Sequence, residues 1–167
     1  MPQNRGKIAT LPGGPVSRAA VPGRESIDRP GFLKRVQEIL GVRTLRSERD
    51  LVALVEQRLP TGTVDALCES GLNDDELHAI VIPRRTLAHR RARGEPLSRN
   101  ESDRLVRVAR IVGLGEQVFG DPERNWRWLR RSKRQLQGRH PLELLTTEIG
   151  AKLVEEMLYR IDEGMAA

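Results

Sequence analysis

Aromatic residues make up only 3% of this 167-residue chain. Its core must therefore come mostly from Leu, Val, Ile and Ala, a palette that suits packed helices better than a β-sandwich. There is one cysteine, Cys68, so no disulfide can close within the chain, which fits a reducing cytoplasm. No apolar run approaches the roughly 20 residues of a membrane span. The opening stretch MPQNRGKIATLPGGPVSRAAVPGRES lacks a continuous apolar segment and does not read as a secretory signal. No strand pattern is convincing, so the expected fold class is all-α. His78, His89 and His140 have no metal-ligand spacing with Cys68 or with each other. The glycines of GLGEQVFG follow no strand, which excludes a phosphate-cradling loop. Neither a metal nor a cofactor nor a catalytic set is expected, and Cys68 reads as a small packed residue.

What the chain does have is positive charge, unevenly placed. It carries 29 Lys/Arg against 23 Asp/Glu, a net +6. Residues 83–134 hold fifteen Lys/Arg and six Asp/Glu, net +9, whereas residues 141–167 hold two and six, net −4. A basic middle and an acidic end imply two partners of different kind, with nucleic acid the obvious one for the first.

Residues 1–30 contain five of the ten prolines and four glycines and no periodic apolar spacing. They read as a disordered or loosely attached arm. Residues 31–46 read as an N-terminal helix, with Phe32, Leu33, Val36, Ile39 and Leu40 at helical spacing, followed by a linker. Ser47 with Asp50 is a near capping box for ERDLVALVEQRL, which Pro60 ends. TVDALCES is a short helix, and Asn73 caps DDELHAIV. Pro83 opens PRRTLAHRRAR, which Gly94 stops. Ser98 and Glu101 form a full capping box for a long helix in which Leu105, Val108, Ala109, Val112 and Phe119 are the apolar side and Gly113 and Gly115 are points of looseness. Asp121 caps PERNWRWLRRSKRQL. Thr147 caps EIGAKLVEEMLYRIDEG, whose expected buried stripe is Ile149, Leu153, Met157, Leu158 and Ile161.

Two short helices joined by a tight turn, Asp74–Val81 and Pro83–Arg93, describe a helix-turn-helix. In such units the second helix lies in the major groove. Leu87 is its one large apolar residue and should face the core. At 100° per residue, Arg85 and His89 then point outward, Thr86 borders them, and Arg84, Arg90 and Arg91, with Arg93, suit phosphates. Arginine is the best bidentate partner of guanine.

GLNDDELHAIVIPRRTLAHRRARGEPLSRNESDRLVRVARI, then VFGD…WL at Val118 to Leu129 and PLELL.TE.GA..VE at residues 141–155, resemble the Xre/MbcA/ParS antitoxins. The resemblance runs from about Leu51 to the C-terminus. It implies an Xre-like helix-turn-helix domain, placed at 47–112, and a toxin-binding helical domain at 113–167. It implies a protein that is not an enzyme. Such a protein blocks the active site of a RES-domain, NAD-degrading toxin and represses its own operon, usually as a homodimer on operator DNA in the bacterial cytoplasm and nucleoid. The toxin-binding role carries over to Trp128, Leu129, Thr147, Glu148, Gly150, Ala151 and Val154, and to Arg160, Ile161, Asp162, Glu163 and Gly164 in the closing stretch to Ala167. One departure stands out. Ser132 and Lys133 replace a Pro-Asn pair, and Gln137 replaces a turn glycine. The alternative reading is a stand-alone helix-turn-helix regulator or plasmid-partition protein.

Read physically, the C-terminal part is an interaction module. Trp126 and Trp128 sit two apart on one helix and cannot share one core; either one is exposed as a binding anchor or both bury against different neighbours. The carboxylates Glu148, Glu155, Glu156, Asp162 and Glu163 could enter a basic, anion-binding cleft.

Overall fold

The computed structural model describes residues 29–164. The arm up to residue 28 and the last three residues lie outside that range. The described residues form nine α-helices and one 3-10 turn, with no strand, in agreement with the all-α expectation. The helices are α1 (Arg29–Leu40), α2 (Glu48–Gln57), α3 (Thr63–Glu69), α4 (Asp74–Ile80), α5 (Arg84–Arg93), α6 (Arg99–Phe119), α7 (Pro122–Arg130), α8 (Pro141–Leu144) and α9 (Glu148–Asp162). The 3-10 turn, Arg134–Leu136, lies between α7 and α8. Helix α1 takes in Arg29 and Pro30, the last two residues of the expected arm; proline is tolerated in a first turn because its missing N–H has no intrahelical partner there.

The local start signals work as the sequence suggests. Ser98 Oγ accepts from the Glu101 N–H, and the Glu101 carboxylate accepts from the Ser98 N–H at 2.6 Å. Asp50 serves in place of Glu for α2, accepting from the Ser47 and Arg46 N–H groups at 2.9 and 2.7 Å. Asn73, Asp121 and Thr147 each accept from the N–H three residues on. These bonds satisfy orphan donors of the first helical turn.

Helix α6 is the axis of the molecule. Leu105, Val108, Ala109 and Val112 are fully buried, and Val106, Ile111 and Leu114 are buried as well. A helix apolar on most sides belongs at the centre, and α1, α2, α3, α7 and α9 all pack against it. Gly113 and Gly115 do not loosen it, because α6 runs through both without a break. A Cβ at Gly113 would press on Val36 of α1, and one at Gly115 would run into the Asn125 carboxamide of α7. These glycines therefore set how closely two neighbouring helices approach. Asn125 is fully buried and donates from Nδ2 to the Val112 carbonyl at 3.0 Å. Arg35 of α1 pairs with the buried Glu116 of α6.

The packed face of α9 differs from the expected stripe. Gly150, Ala151, Val154 and Leu158 are buried, whereas Ile149 is 78% and Leu153 45% exposed. Met157 and Ile161 are half-buried. The cause is steric. A side chain at Gly150 would strike the Leu144 carbonyl of α8, so only the small-residue side of α9 can come this close. The bulky apolar residues are left on the outer side.

Candidate functional site

The helix-turn-helix is held from within. Val81 and Ile82 in the turn are fully buried. His78 Nδ1 lies 2.9 Å from the Ile82 carbonyl and closes the turn. Leu87 is 6% exposed and anchors α5 to the core. Arg85 and His89 are exposed on the opposite side, and among the described residues neither side chain has an ion pair or hydrogen bond. Thr86 beside them is half-buried.

The other arginines of α5 have partners inside the chain. Arg90 pairs with Glu101 at 2.8 Å and donates to the Pro96 carbonyl at 3.3 Å. Its side chain is only 22% exposed. It closes the α5–α6 loop, so the structure assigns it to the fold rather than to an outer phosphate-facing rim. Burial would raise the Glu101 carboxyl, but the Ser98 N–H and the Arg90 guanidinium outweigh it and hold Glu101 below the usual range. Arg91 pairs with Asp65 of α3 at 2.6 Å, and Arg93 with Glu95 at 2.9 Å. Arg84 lies 3.7 and 3.9 Å from Asp74 and Asp75. Such exposed pairs are weak, about 0–1 kcal/mol, and a phosphate can displace the acid partner.

In the C-terminal part the two tryptophans divide as their spacing suggests. Trp126 is 6% exposed and Trp128 is half-buried. Trp128 packs against Phe119, ring centres 5.7 Å apart, with the Lys133 ammonium 4.8 Å over its ring. Burial, and then the neighbouring Arg131, push the Lys133 ammonium below its ordinary value.

The expected toxin-binding residues separate into two groups. Leu129, Gly150, Ala151 and Val154 are in the core and hold the module together; they present no surface to a partner. Thr147, Glu148, Arg160, Asp162, Glu163 and Gly164 are exposed or partly so, and Ile161 is half-buried. Thr147 also caps α9. Glu148 also binds Arg107 at 3.0 Å. Arg107 is itself buried on α6, pairs with Asp103 and donates to the Leu145 and Thr146 carbonyls at the end of α8. Sequence reasoning missed Ile149 and Leu153 as surface residues. The signal was the Gly150–Ala151–Val154 spacing, which marks a second, close-packing face of the same helix.

Besides the packing around α6, the two halves are joined where α7 meets the turn before α4. Trp126 Nε1 donates to the Ser70 carbonyl at 2.8 Å. Its ring fills the space beside Gly71, where φ is +117° and no Cβ would fit. Arg130 stacks on that ring at 4.8 Å, donates to the Gly71 carbonyl at 2.8 Å and grips Glu76 with two bonds of 2.6 and 2.8 Å. Burial alone would raise Glu76, but Arg130 and the Asn73 N–H outweigh it and leave the carboxyl below its usual value. The turn before α4 and the end of α7 are thus locked together.

Among the described residues no cluster of His, Cys, Asp or Glu could hold a metal ion, and no helix is long and apolar enough to cross a membrane. Cys68 is half-buried, and burial pushes its thiol up.

Comparison with known proteins matches residues 50–110 to the antitoxin Xre-like helix-turn-helix domain and residues 114–164 to the antitoxin Xre/MbcA/ParS C-terminal toxin-binding domain. The chain is 36% identical over 133 residues to an Antitoxin Xre of Pseudomonas putida strain KT2440, covering 80% of this chain and 84% of that one. It is 32% identical over 90 residues to an Antitoxin Xre of Yersinia enterocolitica, covering 53% and 61%. It is 31% identical over 98 residues to a Prs ADP-ribosylating antitoxin of a Sphingobium strain, covering 53% and 62%.

Proposed function

From a chain that belongs to the Xre/MbcA/ParS antitoxins, we propose a protein that neutralises a RES-domain, NAD-degrading toxin and represses its own operon as a homodimer. On this reading the outer side of α9 and the acidic end that follows meet the toxin. Arg85 and His89 meet operator bases, and the more exposed of the other α5 arginines meet phosphates.

The observation that carries the toxin half is the outer side of α9. Among the described residues it is the one place where two large apolar side chains, Ile149 and Leu153, stand exposed at i, i+4 spacing. They lead to Asp162 and Glu163. An apolar strip supplies burial on docking, and the carboxylates complement a cleft built to hold the pyrophosphate of NAD⁺. Trp128 supplies a further half-exposed anchor.

The test is co-expression with the product of the adjacent gene, pull-down, and an NAD⁺ depletion assay. Removing Asp162–Ala167 should restore NAD⁺ depletion while operator binding stays intact. Unchanged neutralisation by the truncated chain rules out occlusion by the acidic end. One relative bears ADP-ribosylation in its name. An ADP-ribosylating toxin also consumes NAD⁺, so the assay should follow ADP-ribose on protein as well as loss of NAD⁺.

A further inference from the structure

We propose that the solvent face of α7 and the turn after it, centred on Arg127, Arg131 and Arg134, grip the phosphate backbone of the DNA that α5 reads. This rests on the reading of α5 as the base-contacting helix. It assigns DNA contact to a part of the chain that matches a toxin-binding domain.

The starting point is a mismatch within the helix-turn-helix. Four of its five α5 arginines have acid partners in the chain. DNA affinity at physiological salt depends on cations that neutralise phosphates, and α5 supplies few that are uncommitted. Residues 124–139, in contrast, hold seven Lys/Arg and no Asp/Glu. Arg130 is engaged by Glu76, and Arg139 has Glu143 at 3.8 Å. Arg124, Arg127, Arg131 and Arg134 are exposed and, among the described residues, have no acid partner.

These cations share a direction. At 100° per residue, Arg124 and Arg127 fall about 60° apart, on the side of α7 away from Leu129, and Arg131 follows directly at the end of the helix. Leu129 is fully buried, so that side of α7 faces solvent. The turn beyond is closed on itself. The Lys133 N–H donates to the Arg139 carbonyl and the Gly138 N–H to the Lys133 carbonyl, both at 3.0 Å. Gln137 and Gly138 take left-handed backbone, φ +56° and +84°, to make the closure. Arg134 is therefore carried on an ordered platform, with less conformational entropy to lose on binding.

Position then selects the partner. Arg130 ties the end of α7 to Glu76 in the first turn of α4. The first helix of a helix-turn-helix crosses the DNA backbone, so the α7 cations ride on the element that lies over phosphates. Asp74 and Asp75 stand exposed at the same end of α4. They would repel the backbone unless nearby cations reversed the sign of that edge, and the α7 face is the cationic surface locked to it.

The experiment uses the full chain, a duplex from directly upstream of its gene, a scrambled duplex of equal length, and a salt titration. Combined Arg127→Gln, Arg131→Gln and Arg134→Gln should make the slope of log affinity against log salt shallower by roughly 0.9 for each phosphate left unneutralised. Affinity should fall equally for both duplexes, with the preference between them and the thermal midpoint unchanged. A slope equal to wild type overturns the proposal. If capture of the adjacent gene's toxin falls while the slope holds, the face belongs to the toxin. Arg85→Ala separates the two readings. If it leaves the preference intact while the triple variant flattens the slope, the assignment of α5 fails and the α7 contact stands.

Discussion

Helix α5 and helix α7 are both short and rich in arginine, yet they use that charge differently. In α5 the arginines reach Asp74, Asp75, Glu101, Asp65 and Glu95, leaving Arg85 on the outer side. In α7 Arg130 alone is drawn inward, to Glu76, while Arg124 and Arg127 stay in solvent. An arginine count therefore does not measure a binding face. What matters is the acid within reach of each guanidinium, and long-range partners such as Asp65 and Glu76 appear only once the chain is folded. Trp126 and Arg130 tie α7 to the turn before α4 and so to the helix-turn-helix that carries α5, which leads to the first and largest prediction.

Trp126→Ala removes a buried aromatic and its bond to the Ser70 carbonyl. It should lower unfolding free energy by about 3–5 kcal/mol, measured by denaturant titration. Because Arg130 loses the ring it stacks on, operator binding and toxin neutralisation should weaken together. Operator binding that survives at wild-type strength would mean that the helix-turn-helix does not depend on α7.

The second contrast lies within α5. Arg85→Ala should cost about 1–3 kcal/mol of operator binding and leave the thermal midpoint in place. Arg90→Ala should do the reverse, because it leaves Glu101, 12% exposed, without its guanidinium. A hydrogen-bonded charge of that kind is worth about 1.5–3 kcal/mol. A calorimetric scan beside a salt-matched binding titration tells the two apart. An unshifted midpoint for Arg90→Ala would return that residue to the phosphate-facing set.

Much of this fold is legible in the sequence because its signals are local. The Ser98–Glu101 box, the Asn73, Asp121 and Thr147 caps, and the stops at Gly94 and Pro60 depend on spacings of a few residues. The inward turn of Leu87 follows from helical period alone. What the sequence hides is decided by partners far along the chain. Gly115 looks like a flexible point until Asn125 is seen to need its missing side chain. Helix α9 has two candidate faces, and the Leu144 carbonyl selects the one with small residues. Arg90 and Arg85 are indistinguishable by residue type, and only the fold brings Glu101 to one of them. The site is therefore less legible than the scaffold, since surface chemistry is what remains after long-range pairs have formed.

The smallest effect tests the lock between α4 and α7 through pH. The carboxyls of Glu76 and Glu101 both sit below their ordinary value of 4.5 in the folded chain. A carboxyl with a depressed folded value contributes stability that is complete above its unfolded value and is lost as pH falls through the folded one. Stability should thus be level in these two groups near neutrality and decline below about pH 4.5. Glu76→Gln keeps the shape but removes the charge that Arg130 holds. It should lower stability modestly near pH 7 and make the acid decline shallower, so that the variant and the parent converge at low pH. Parallel curves, with a constant gap down to about pH 3, would mean that the Glu76 charge adds nothing to the junction.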